Sequence, residues 1–203
     1  IKPDYAEAHS NLGNVFKELG KLDEAVTNYH KAIKINPKFP EVHNNLGNAF
    51  KELEQFNEAV VQYHKAIDIK PNYVEAHNNL GLVLQKLGRP NNALKHCHKA
   101  LAINPDYCEA HINLGAAFQQ LQRLDDAIAC YQDAIKIKPD FADARYNLGT
   151  ALMELGRPNE AVVSFRKAVA IRPKYPEAHN NLGFALQTLG RLDEALNHYT
   201  KAL

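Results

Sequence analysis

The tripeptide His96-Cys97-His98 sets three metal-binding side chains in a row, a set suited in type to zinc. Consecutive helical residues project about 100° apart, so the three cannot converge on one ion as an i, i+4 pair can. Ser10 and Ser164 are the only serines, and neither sits in a nucleophile motif. No Gly-rich loop would cradle a phosphate. Cys97, Cys108 and Cys130 are odd in number, without a C-x-x-C or close pairing, which argues against a disulfide framework. These residues predict no catalysis, no metal and no cofactor. An amide recurs instead. Asn11, Asn45, Asn79, Asn113, Asn147 and Asn181 follow one another at intervals of 34 residues. An Asn side chain can pair with a peptide's backbone C=O and N–H whatever that peptide's side chains, or it can satisfy a neighbouring helix. Four residues before each Asn stands an acid: Glu7, Glu41, Glu75, Glu109, Asp143 or Glu177. An acid in a first helical turn complements the helix dipole by about 0.3–1 kcal/mol, and a row of acids would also favour basic ligands.

The elements that carry these side chains follow the same stride. Leu12-Gly13, Leu46-Gly47, Leu80-Gly81, Leu114-Gly115, Leu148-Gly149 and Leu182-Gly183 are 34 residues apart, as are Pro3, Pro37, Pro71, Pro105, Pro139 and Pro173. A fixed period of this size denotes a solenoid. The units run 6–39, 40–73, 74–107, 108–141 and 142–175, with an incomplete sixth at 176–203. With Ala6 as position 1, the stripe Ala8, Leu12, Gly13, Phe16, Leu19 marks one face of a helix of about 14 residues. Gly20, Gly88, Gly156 and Gly190 suit left-handed C-terminal caps. Asp23, Asn57, Asn91, Asp125, Asn159 and Asp193 are the expected N-caps of a second helix, whose stripe is Ala25, Tyr29, Ala32, Ile33. Where Lys38 and Lys174 replace a capping Asp or Asn before the first helix, Pro40 and Pro176 supply another start signal. Gly at position 8 and Ala at positions 20 and 27 let the helix axes approach closely, and one unit alone cannot bury both stripes. The histidines at position 4 read as partly buried core groups.

Composition narrows the function further. Lys plus Arg is 24 against 23 for Asp plus Glu, which leaves no basic excess for nucleic acid or an anionic membrane. No apolar run approaches the roughly 20 residues of a membrane helix, and no signal-peptide pattern opens the chain. With no Asn-x-Ser/Thr sequon and no disulfide framework, a cytoplasmic setting is expected.

The order His9-x-x-Leu12-Gly13-x-x-Phe16, then Ala25-x-x-x-Tyr29, then Pro37, resembles the tetratricopeptide repeat over all 203 residues. Its bulky first position holds His9, His43, His77, His111, Arg145 and His179 here, and Cys97 replaces the second-helix aromatic of unit three. The resemblance implies an all-α, right-handed superhelical solenoid of antiparallel helix pairs whose first-helix face lines a concave groove for extended peptides. The Asn series is similar to the asparagine ladder of the O-linked N-acetylglucosamine transferase superhelix. On that face the ladder would be joined by Asn14 and Asn48, by Asn44, Asn78 and Asn180, and by the apolar Leu82, Ile112, Tyr146 and Phe184. The carboxylate clamp of the family's chaperone adaptors is absent, because Ser10, Asn44, Glu75 and Glu109 stand where its cations belong. The expected function is a protein-interaction scaffold that binds an extended peptide. The alternatives are a substrate-recruiting arm of a larger enzyme, such as a glycosyltransferase, and an array that self-associates end to end. Ile1-Lys2-Pro3-Asp4-Tyr5 matches the tail of a preceding repeat, as in a stretch cut from a longer array.

Overall fold

The computed structural model describes residues 5–203, so the proposed repeat tail at 1–4 lies outside the described residues. The described residues form twelve α-helices and no strand. The chain divides into two compact units, Ile1–Pro105 and Asp106–Leu203. The first holds α1 (Ala6–Glu18), α2 (Leu22–Ile35), α3 (Pro40–Glu52), α4 (Phe56–Ile69), α5 (Val74–Lys86) and α6 (Pro90–Ile103). The second holds α7 (Cys108–Gln120), α8 (Leu124–Ile137), α9 (Ala142–Glu154), α10 (Pro158–Ile171), α11 (Pro176–Thr188) and α12 (Leu192–Ala202). Within each unit a helix packs on its neighbours in sequence, and the first helices of successive repeats also touch.

Small residues set the packing distance, as the pattern predicts. A Cβ added to Gly47 would lie 2.6 Å from the Tyr63 ring, and one on Gly149 would lie 2.6 Å from Phe165. In unit three the partner is smaller, and the same atom on Gly81 would meet Cys97 Sγ at 2.7 Å. Behind these contacts the second-helix alanines, from Ala25 and Ala32 to Ala161 and Ala168, are fully buried. The core then crosses from pair to pair: Ala25, Tyr29 and Ala32 of α2 cluster with Val42, Leu46 and Ala49 of α3. Leu12 and Leu19 depart from the expected core stripe. They are exposed, since no described helix covers that side of α1 as α2 covers Leu46.

Turn chemistry corrects the expected caps. The Gly20 N–H donates to the Lys17 carbonyl and the Lys21 N–H to that of Phe16, the paired bonds of a Schellman motif. This closure is so tight that α2 starts at Leu22 and puts Asp23 inside the first turn instead of at the cap. The N-caps are Lys21, Gln55, Arg89, Arg123, Arg157 and Arg191, none with a side-chain capping bond. Asn72, Asp106 and Asp140 likewise stand one residue ahead of the aromatic N-caps Tyr73, Tyr107 and Phe141. Pro40 and Pro176 do open their helices.

Candidate functional site

The first-helix face of residues 1–105 is built from amides that hold one another. Asn14 Oδ1 accepts from the Tyr29 hydroxyl at 2.7 Å and from Asn45 Nδ2 of the next repeat at 3.1 Å. Asn48 Oδ1 accepts from the Tyr63 hydroxyl at 2.9 Å. One repeat later Asn79 Nδ2 donates to Asn44 Oδ1 at 3.1 Å. A position-6 Asn thus spends one N–H on the preceding repeat, which fixes its amide plane. Its second N–H and its carbonyl oxygen remain for another partner at Asn45 and Asn79, both half-buried. Asn11 is exposed. Asn14 and Asn48, expected to meet a ligand, are half-buried and each accepts from a core tyrosine. Asn44 and Asn78 are only 5% and 6% exposed, and Asn44 supports the Asn79 rung.

The corresponding face of residues 106–203 mixes amides with aromatic and apolar groups. Tyr146 is half-buried, lies 5.1 Å from the Tyr175 ring and 5.9 Å from Phe165, and accepts from Asn181 Nδ2 at 3.1 Å. Tyr175 in turn donates to Asp143, which Arg172 grips with two nitrogens at 2.8 and 2.9 Å. Burial alone would raise the Asp143 carboxyl, but these hydrogen bonds and the Arg172 charge hold it below its ordinary value. Phe184 is 56% exposed, whereas Ile112, Asn113 and Asn147 are half-buried, as is Leu82 on α5 of the other unit. Asn180 is exposed and donates to Asn181 at 3.4 Å. Two hollows open on this face, one of about 390 Å³ including Asn147, Thr150 and Glu154, the other of about 510 Å³ including Glu177, Asn180 and Asn181. Tyr146 lines both. Gln119 and Gln187 were not singled out by sequence reasoning. Where position 9 carries no amide, the Tyr131 and Tyr199 hydroxyls donate to these glutamines at 3.0 and 2.8 Å.

With this geometry in view, family models described as TPR repeat match residues 13–53, 47–88 and 149–190. Others described as tetratricopeptide repeat match 73–140, 123–163 and 178–203. The chain belongs to the tetratricopeptide-repeat family. The matches run from residue 13 to 203 without a gap, so this stretch of chain is repeat array throughout. No curated protein matches the chain. Among solved structures, that of MamA is 29% identical with a TM-score of 0.68, covering 77% of this chain and 92% of MamA. YrrB, described as a TPR protein with an unusual peptide-binding site, is 25% identical with a TM-score of 0.68, covering 87% of this chain and 91% of YrrB. PilW, a type IV pilus biogenesis factor, shares the fold at 22% identity and a TM-score of 0.89, covering 95% of this chain and 90% of PilW.

The departures from the tetratricopeptide pattern are structural. His43, His77 and His179 are buried, and each places Nε2 at 3.0 or 3.1 Å from the carbonyl of a preceding repeat proline. Arg145 reaches the Pro139 carbonyl in the same way, through two nitrogens. Of the tripeptide, Cys97 is buried in the core, His96 turns to His77, and His98 is exposed. Among the described residues no three His, Cys, Asp or Glu side chains are grouped to hold a metal ion. None of the described helices is long and apolar enough to cross a membrane.

Proposed function

We propose that this tetratricopeptide array is a protein-interaction scaffold that holds an extended peptide segment on its first-helix face, using the position-6 asparagines as rungs. One observation carries the reading. Asn45 and Asn79 are oriented by inter-repeat hydrogen bonds that use half of their donor capacity. Each therefore presents a fixed N–H and C=O pair that complements a peptide unit without regard to side chains. The likeness to YrrB, described as having a peptide-binding site, supports the same reading. Apolar Phe184 and aromatic Tyr146 would add side-chain preference beside Asn147 and Asn181.

A neutral hydrogen bond contributes about 0.5–1.5 kcal/mol net, so no single rung decides binding. A peptide ligand is first selected from a display library on the intact protein. Its affinity is then measured for the Asn79→Ala/Asn113→Ala/Asn147→Ala triple variant. The expected loss is about 2–4 kcal/mol, similar for ligands of different sequence, with the thermal melt retained. A triple variant that melts normally and binds every selected ligand as before would refute the rungs.

A further inference from the structure

The two faces differ in how their charges are arranged. On residues 1–105 the groove acids stand among lysines of the same face: Lys17, Lys51 and Lys86. Lys17 Nζ lies 4.0 Å from Glu52, and Lys70 Nζ lies 3.6 Å from Glu41. On residues 106–203 the same positions of α7, α9 and α11 hold Glu109, Asp143, Glu154 and Glu177 and no Lys or Arg. The imbalance is local, because residues 106–203 as a whole carry 11 Lys and Arg against 12 Asp and Glu. Arg172 grips Asp143 of this face, whereas Arg123 pairs with Asp126, Arg157 with Glu160, and Arg166 and Arg191 with Glu194, none of them a first-helix acid.

Two of these acids sit in the walls of hollows. Glu154 lines the first and is held by a hydrogen bond from Gln119, a neutral donor that leaves its charge uncompensated. Glu177 lines the second. The Tyr146 side chain lies between the two hollows and contributes to both. An ammonium or guanidinium group in either hollow would meet a carboxylate, and the apolar stem of Lys or Arg would lie along Tyr146.

We infer that the first-helix face of residues 106–203 takes a cationic extended peptide, with one Lys or Arg in each of the two hollows. This rests on the peptide-binding reading and specifies its ligand. Successive first helices lie about 8–10 Å apart, and an extended chain advances about 3.3 Å per residue. The two basic residues are therefore three apart, as in Lys-x-x-Lys.

The test uses a fluorescein-labelled Gly/Ser peptide with Lys-Ser-Leu-Lys at its centre and a twin with Gln for both lysines. Fluorescence anisotropy at low salt should show the Lys peptide bound about ten-fold tighter than the twin, with the difference shrinking as salt is added. Glu154→Gln/Glu177→Gln, which keeps side-chain shape and the Gln119 contact, should abolish the difference. Glu18→Gln/Glu52→Gln in the other unit should leave it intact. A preference for Lys that survives Glu154→Gln/Glu177→Gln would overturn the inference. If both peptides bind equally and both are weakened by Asn147→Ala, the charge inference falls while the groove reading stands. If neither peptide binds, both fall.

Discussion

His77 and His96 meet nitrogen to nitrogen, Nδ1 to Nδ1 at 3.1 Å, with their rings stacked. His77 Nε2 donates to the Pro71 carbonyl at 3.0 Å, so neutral His77 presents a bare Nδ1 and His96 supplies the proton between them. A doubly protonated pair cannot keep that contact. Burial lowers both pKa values first of all, and His96 falls to about 4, with His77, His64 and Lys95 adding positive charge around it. Lys99 and His64 act in the same direction on His77. The folded pKa lies below the unfolded one, so between them the unfolded state binds more protons than the folded state. Stability is therefore complete above about pH 6.5 and declines as pH falls toward about 4. Urea denaturation at about pH 7 and about pH 5 should differ by on the order of 1–2 kcal/mol from this pair. His96→Gln should flatten the difference, because Gln62 already serves His43 in this role at 2.9 Å. An unchanged pH slope in His96→Gln would remove the pair as its cause.

At the scale of the element, the turns between paired helices show both what the sequence displays and what it hides. Gly20, Gly88, Gly156 and Gly190 take φ of 68–75°, as their spacing predicts. In the two repeats without glycine the chain keeps the same turn, with Glu54 at φ 58° and Gln122 at φ 59°. A left-handed conformation costs an ordinary residue about 1–2 kcal/mol, part of which is offset by the greater unfolded freedom of glycine. Glu54→Gly and Gln122→Gly should each stabilise the protein by roughly 0.5–1 kcal/mol in chemical denaturation. A neutral or destabilising result would mean that the side chains hold these turns. Such caps are legible because glycine has one backbone reason to recur. The N-caps are not, since Asp23 and Asn57 differ from true caps only by two residues of register that the Schellman closure sets. The groove is partly legible for a similar reason. Period 34 exposes the Asn rungs, but separating a core face from a groove face conceals that Tyr29 and Tyr63 reach across to Asn14 and Asn48. The pattern shows this pairing only in part: Tyr131 and Tyr199 accompany Gln119 and Gln187 and Phe165 accompanies Met153, but Cys97, without a hydroxyl, also accompanies a glutamine, Gln85.

At the scale of the molecule, neighbour-only packing leaves apolar surface exposed among the described residues on α1 and around α12. Leu12 is 44% exposed where its repeat equivalents Leu46 and Leu80 are fully buried, and Val15 and Leu19 beside it are exposed as well. The exposed leucines on and just after α12 are Leu192, Leu196 and Leu203. Inside a unit, a first-helix surface like that of α1 is covered by a preceding second helix, as α2 covers Leu46. A second copy offers such a helix in α12. The contact this favours is heterologous, front of one copy to back of the next, and such contacts continue instead of closing at a dimer. For the 203-residue chain taken by itself, light scattering should show a mass that rises with concentration without a plateau at two copies. Leu12→Glu and Leu196→Glu should each suppress this rise. Mixed together, the two variants should form a one-to-one pair, since one keeps its back and the other its front. A wild-type chain that stays monomeric at high concentration would sink the idea, and a Leu12→Glu variant that still dimerises would replace it with a two-fold contact through α12.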